Sequence, residues 1–266
     1  MAYEWDRSLF AKVKAPKKTE LDLKHFEGLI EKTIVEAKKD IGFKKKKSFS
    51  PSSFGGQGGC PVYWKIAFNG AEFKFDPDAL GVYAMEAGTH YGDLLESRLL
   101  ASAVANETQG KIENSSPPIF GYLDFTGTIN GVDYVCDIKT VTADKWNKIK
   151  ETGVIPQANF VQVLIYMRIL KYRNGILLYV NKDSGKMLTV PITISERNKK
   201  FVEYLFNWMN EVYEWKDKEE YPSRGYTKST WQCKSCPVKE TCWELDIPKK
   251  VGPGRLEIDI DKVDLD

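Results

Sequence analysis

Apolar positions recur at helical spacing between Leu21 and Lys39, at Leu23, Phe26, Leu29, Ile30 and Ile34, which predicts an amphipathic helix near the front of the chain. A lysine-rich stretch follows, with Lys38-Lys39 and Lys44-Lys45-Lys46-Lys47. Ser50-Pro51-Ser52-Ser53-Phe54 and the glycines up to Gly59 then lead into Cys60-Pro61. Val62 to Phe75 reads as two short strands around Asn69-Gly70, a pair that favours tight hairpin turns. From Glu86 to about Ala105 the period returns to that of a helix, with Tyr91, Leu94, Leu95 and Leu99 near one apolar stripe and Glu96 off its centre. Ile119 to Ile129 and Val132 to Thr140 are predicted strands joined at Asn130-Gly131. A helix from Ala158 to Tyr172 is expected to stop at Asn174-Gly175, where glycine accepts a left-handed backbone. Ile176 to Val180 is then an apolar strand, and Lys186 to Ile194 can pair with it across Asp183-Ser184-Gly185. Lys199 to Trp215 is a last long helix, whose core face is Phe201, Leu205, Trp208, Met209, Val212 and Trp215. This order implies an α/β domain with a central mixed sheet flanked by helices. It spans 50–246, preceded by a helical and basic extension over 1–49 and followed by an acidic tail over 247–266.

Composition narrows the class. With 266 residues, 42% of them hydrophobic, the chain can bury a substantial core. No continuous apolar run reaches the roughly 20 residues needed to span a bilayer, so no membrane association is expected. The opening Met1-Ala2-Tyr3-Glu4-Trp5-Asp6-Arg7 lacks the basic-then-apolar order of a secretion signal. A cytoplasmic location is therefore expected, and there cysteines at ligand spacing serve metals rather than disulfides. Net charge is only +2, but it is unevenly spread. The lysines lie at the front, and Glu257, Asp259, Asp261, Asp264 and Asp266 outnumber Lys262 at the end. A lysine run by itself is a solvated loop; phosphate contacts become the better reading only if the core chemistry calls for them.

Two sets of residues carry that chemistry. Cys60 and the Cys233-x-x-Cys236-x-x-x-x-x-Cys242 group make a four-thiolate set that would close a loop over most of the chain. The spacing is equally compatible with structural zinc and with an iron–sulfur cluster, while Cys136, in an apolar strand, reads as a small buried residue. The second set is acidic. Asp137 and Lys139 alternate onto one face of their strand, the hairpin brings Asp124 alongside, and Glu96 can approach from the preceding helix. Carboxylates so grouped suit Mg²⁺ or Mn²⁺, which polarise a phosphoryl oxygen and supply hydroxide near neutral pH. A structural ion pair would also explain Asp-x-Lys in a buried strand. Gln162 and Tyr166, four apart on a helix, share a face and by themselves read as the polar edge of an amphipathic helix.

Taken together, Ser50-Pro51-Ser52, Cys60-Pro61, Glu96, Gly121-x-x-Asp124, Asp137-x-Lys139-Thr140, Gln162-x-x-x-Tyr166 and the cysteine group resemble the RecB-type PD-(D/E)xK nucleases. Within that superfamily the match is to the four-cysteine iron–sulfur branch of AddB and the CRISPR-adaptation exonucleases. The resemblance covers about Ser50 to Trp243. It implies a restriction-endonuclease-like core closed by a 4Fe–4S cluster on Cys60, Cys233, Cys236 and Cys242. It also implies Asp124 and Asp137, with Glu96, as ligands of Mg²⁺ or Mn²⁺, and Lys139 as the catalytic lysine. Gln162 and Tyr166 would position the lysine and the nucleic-acid backbone. The implied activity is a metal-dependent DNA exonuclease acting on single strands or DNA ends, in recombination, repair or phage DNA metabolism, with a possible recombination or repair partner protein. The alternative is a noncatalytic nucleic-acid-binding or nuclease-complex subunit that keeps the fold and cluster. One departure bears on the choice: the family commonly has histidine four residues before the helical glutamate, where this chain has Gly92. His90 lies on another side of the helix, and Asp93 is a possible substitute ligand.

Overall fold

The computed structural model describes residues 23–36, 45–71, 73, 78–247 and 251–265. Lys38, Lys39, Lys44, Phe75 and Asp266 of the segments read above lie outside them. The elements are α1 (Leu23–Glu36), α2 (Pro61–Asn69), α3 (Ala79–Ala101), β1 (Glu107–Ser115), β2 (Pro118–Ile129), β3 (Val132–Val141), α4 (Ala143–Thr152), α5 (Gln157–Leu170), β4 (Asn174–Asn181), β5 (Met187–Thr193), α6 (Glu196–Glu214) and two short helices, α7 (Trp231–Lys234) and α8 (Lys239–Glu244). Among the described residues no single helix is long and apolar enough to cross a membrane.

The five strands form one mixed sheet in sequence order. β1, β2 and β3 are antiparallel neighbours, β3 and β4 are parallel, and β5 returns antiparallel to β4. The parallel step requires a crossover, which α4 and α5 provide. Neighbouring residues along each strand serve opposite layers. Val135, Leu177 and Tyr179 face a large core shared with α2, α5 and α6, whereas Cys136, Ile138, Leu178 and Val180 meet Leu95 and Leu99 of α3 in a smaller one. The hairpin at Asn130-Gly131 has both residues at positive φ, 52° and 76°, the backbone that a two-residue turn matching strand twist demands.

Three sequence expectations are corrected. The stretch begun at Val62 is helix α2, not a strand pair. Pro61 opens it, every residue from Pro61 to Phe68 is buried, and Asn69-Gly70 ends it with Gly70 at φ 82°. A helix enclosed on all sides shows no period, so its apolar run imitates strands. Lys65 is the exception to that apolar run, and its ammonium is satisfied by the carbonyls of Trp215 and Lys218 and by the face of Tyr221. Burial lowers its pKa. The second correction concerns Asn174-Gly175, which begins β4; α5 ends instead at Lys171, itself at φ 61°. Gly175 is needed for closeness: a Cβ there would stand 2.4 Å from Val163 Cγ1 and 2.9 Å from Met167 Sδ. Third, β1 and α4 were not anticipated.

The segment 251–265 packs along α6. Leu256 is buried and its N–H donates to Gly59 O, Trp208 Nε1 donates to Gly254 O, and Arg197 pairs with Asp261 at 3.0 Å.

Candidate active site

Asp137 sits in the middle of β3, 1% exposed, with Lys139 two residues on and facing the same layer. Lys139 Nζ stands 2.8 Å from Asp137 Oδ2 and donates to Gln162 Oε1 at 3.0 Å. A lysine has only protons to give, so Gln162 must turn its oxygen to it and its amide away. That amide donates to the Tyr166 hydroxyl at 2.7 Å, and the hydroxyl donates to Tyr122 O at 3.0 Å. One unbroken chain of polar contacts thus runs from β3 through α5 to β2. The helical spacing of Gln162 and Tyr166 makes it possible, since both rise from the face of α5 that lies on the sheet.

Asp124 occupies a break in the sheet. Pairing of β2 with β3 proceeds from Ile129↔Val132 to Phe125↔Cys136, and the next pair in that register would set Asp124 against Asp137. Instead the Asp124 carboxylate accepts the Ile138 N–H, taking the place of a ladder carbonyl. The strand turns as it passes: Leu123 belongs to the larger core and Phe125 to the smaller one. Opposite this point β1 skips a pair at Gln109, which has φ 52°. Gln109 Nε2 reaches both oxygens of Glu96, each at 2.8 Å. Glu96 is 6% exposed on α3, and a Cβ at Gly92 would lie 3.9 Å from its Oε1, which puts position 92 on the glutamate's own face of the helix. His90 and Asp93 are exposed. Gln109 is the site residue that sequence reasoning missed. No periodicity marks it, because its contribution depends on a left-handed backbone inside a strand.

Asp124 and Asp137 share one ammonium, Lys139, and Glu96 lies close enough to feel the charge of Asp124. Burial pushes Asp137 up from 3.8 to about 7, Lys139 opposing and Asp124 adding to the rise. Asp124 is raised by burial against the pull of the Ile138 N–H and Lys139. Burial likewise raises Glu96, with Asp124 and Asp93 contributing, against the Gln109 hydrogen bonds. Tyr166 is raised by burial and then by Asp137, so it stays a neutral hydrogen-bonding hydroxyl. Asp137 Oδ2 is partnered by the Lys139 ammonium as a close ion pair, poorly aligned for a hydrogen bond. Buried carboxylates beside one ammonium, with Asp124 raising the pKa of both Asp137 and Glu96, are the donor chemistry that suits a hard divalent cation. The spacing is looser than a finished shell: among the described residues no three His, Cys, Asp or Glu side chains stand close enough to hold one metal ion.

That statement covers the cysteines too. Cys60, Cys233, Cys236 and Cys242 are free thiols that line a single pocket, together with Gln57, Tyr63, Arg224, Tyr226 and Trp243. The Gly225 N–H donates to Cys60 Sγ at 3.3 Å, and a side chain at Gly225 would strike Cys60 Cα at 3.0 Å. Arg224 ties the pocket to α8 by donating to Cys242 O and Leu245 O. Burial raises Cys60 and Cys242 and lifts Cys236 to about 12, so the thiols stay protonated unless a cation draws them to thiolate. Cys136, also raised to about 12 by burial and by Asp124 and Asp137, is a small buried residue behind the acidic centre.

No family model and no curated protein matches the chain. Among solved structures it is similar to SSO0001, at 20% identity over 85% of this chain and 98% of that one, with a TM-score of 0.42. It is also similar to the alkaline exonuclease LHK-Exo of Laribacter hongkongensis, at 11% identity over 70% and 94%, TM-score 0.47. A phage-related exonuclease from Haemophilus somnus 129PT matches at 15% identity over 48% and 71%, TM-score 0.34.

Proposed function

We propose that the chain is a metal-dependent nuclease of the RecB type, cleaving DNA phosphodiesters at the centre formed by Glu96, Asp124, Asp137 and Lys139. The observation that carries this reading is the buried Asp137–Lys139 pair, 2.8 Å apart, at the head of the Lys139–Gln162–Tyr166 chain, with Asp124 beside it. A purely structural ion pair in a buried strand needs no further acid; here Asp124 stands close enough to raise the pKa of both Asp137 and Glu96. Asp124, Asp137 and Glu96 would hold Mg²⁺ or Mn²⁺, which supplies a polarised phosphoryl oxygen and hydroxide near neutral pH. Lys139, fixed by Gln162, offsets charge developing on the phosphate and orients the attacking water. Tyr166 fixes Gln162 from the other side, so the ammonium has one position only. An exonucleolytic mode on single strands or DNA ends, with recombination, repair or phage DNA metabolism as its setting and a cytoplasmic location, follows from the family resemblance and belongs to the same proposal.

The four cysteines are proposed to hold a 4Fe–4S cluster. That all four line one pocket supports a shared site; the family resemblance favours the cluster, and structural zinc is the alternative. A backbone N–H aimed at Cys60 Sγ is the kind of contact that tunes such a group.

End-labelled linear and circular DNA, single and double stranded, incubated with and without Mn²⁺ after anaerobic purification, tests the activity. Hydrolysis that needs both Mn²⁺ and Asp137 is expected, and an Asp137→Ala variant as active as the parent would overturn the assignment. A noncatalytic subunit is the second reading, favoured by the loose spacing of the acids. Mn²⁺ titration separates the two: an active centre binds the ion and loses it in Asp124→Ala, whereas a scaffold binds none.

A further inference from the structure

β2 continues outward from Asp124 with two aromatic side chains that the fold leaves uncovered. Tyr122 is 53% exposed and Phe120 37%. They alternate onto one side of the strand, at about 7 Å per two residues, so Tyr122 is the first side chain on that side before Asp124. Their rings meet edge to face, with centroids 5.4 Å apart. Such a pair uses one ring face and leaves the others free. The backbone beneath is anchored to the proposed centre, since Tyr122 O accepts the Tyr166 hydroxyl. A mobile surface pair would not be tied in this way.

A cation flanks the pair. Lys111, directly opposite Tyr122 on β1, has its ammonium 5.5 Å from the Phe120 ring. Its other partner is Glu113 at 2.6 Å, and both side chains are more than half exposed, so that pair contributes little and can exchange for a phosphate. On the far side of β2 the chain from Lys45 to Phe49 runs in beside the strand. Phe49 N–H donates to Pro118 O and Phe120 N–H to Phe49 O, which fixes this edge of β2 beneath the rings. Flat rings beside a cation, leading into an acidic centre, match a strand of unpaired bases on a phosphodiester backbone. A duplex offers no base face to such rings, because its bases are stacked on one another.

We propose that Phe120 and Tyr122 are a base-stacking platform that receives the unpaired nucleotides beside the scissile phosphate and gives the protein a preference for single strands, with Lys111 taking a backbone phosphate. The proposal rests on reading the acidic centre as a phosphodiesterase. It is tested on the full chain by fluorescence anisotropy without Mn²⁺ or Mg²⁺, so that nothing is cleaved, using labelled single-stranded DNA, single-stranded RNA and duplex DNA of one mixed sequence. Tyr122→Ala is expected to weaken single-strand binding about tenfold, and Phe120→Ala/Tyr122→Ala further, with duplex binding changed less than about twofold. Tyr122→Phe keeps a ring and is expected to bind like the parent. Unaltered single-strand affinity in the double variant, or equal losses on single strands and duplex, overturns the platform. Its failure is distinguishable from that of the centre: hydrolysis indifferent to Tyr122 sinks the platform alone, and Tyr122-dependent binding without Mn²⁺-dependent hydrolysis supports the platform and sinks the centre.

Discussion

Asp137 holds its proton to about pH 7 in the folded chain and to about 3.8 in an unfolded one. Across that window the folded state binds more protons, so the contribution of Asp137 to stability falls as pH rises and is most unfavourable above pH 7. Without a divalent ion, Asp137→Asn is therefore expected to raise the thermal midpoint at pH 8, by up to a few kcal/mol of stability, and to leave it nearly unchanged at pH 4. Calorimetry at the two pH values checks this. The same proton competes with a metal. Apparent Mn²⁺ affinity should rise about tenfold per pH unit below 7 and level off above it, as followed by calorimetric titration. Gln109 offers a third test at this scale. Gln109→Asn keeps an amide and tolerates the left-handed backbone but is one methylene too short to reach Glu96, and Gln109→Gly relieves the backbone while removing the amide altogether. If Gln109 positions the carboxylate, both variants fold and both lose Mn²⁺ affinity, by about tenfold. A role in the strand alone would leave the glycine variant binding normally.

At the scale of elements, the sheet works because α5 lies close upon it. Gly175 permits that approach, and the polar chain from Lys139 to Tyr122 depends on it. Gly175→Ala forces a methyl into Val163 and Met167, with an expected loss of about 1 to 3 kcal/mol by urea unfolding. Because it displaces the helix that carries Gln162, turnover should fall as well. The hairpin of β2 and β3 was legible from alternation and from Asn130-Gly131, since a half-buried strand shows its period and a two-residue turn shows its chemistry. Helix α2 was illegible for the opposite reason. Enclosed on every side, it has no solvent face to set a period, and its terminal Asn-Gly imitates a hairpin.

Across the whole molecule, the ends of the domain are held together twice. The cysteine pocket joins Cys60 to the last helices, and the segment 251–265 lies against both α6 and Gly59. Cys60→Ser is expected to abolish the visible absorption of a cluster-loaded preparation and to reduce stability by about 5 kcal/mol, the chain-entropy value for so long a loop. A colourless parent containing zinc would refute the cluster. Leu256→Ala should reduce stability by about 3 kcal/mol, because its side chain is buried among the core residues rather than in a solvated tail.

Alternation, turn pairs and ligand spacing are local, and only together with the family resemblance did they single out Asp124, Asp137, Lys139, Gln162, Tyr166 and the four cysteines as candidates. Which atoms touch is not local. The lapse in pairing that frees the Asp124 carboxylate, the positive φ that lets Gln109 reach Glu96, and the hold of Gln162 on Lys139 all arise from packing between elements distant along the chain. Hydrophobic periodicity reports which side of an element is buried; only the assembled sheet and helices decide what that side meets there.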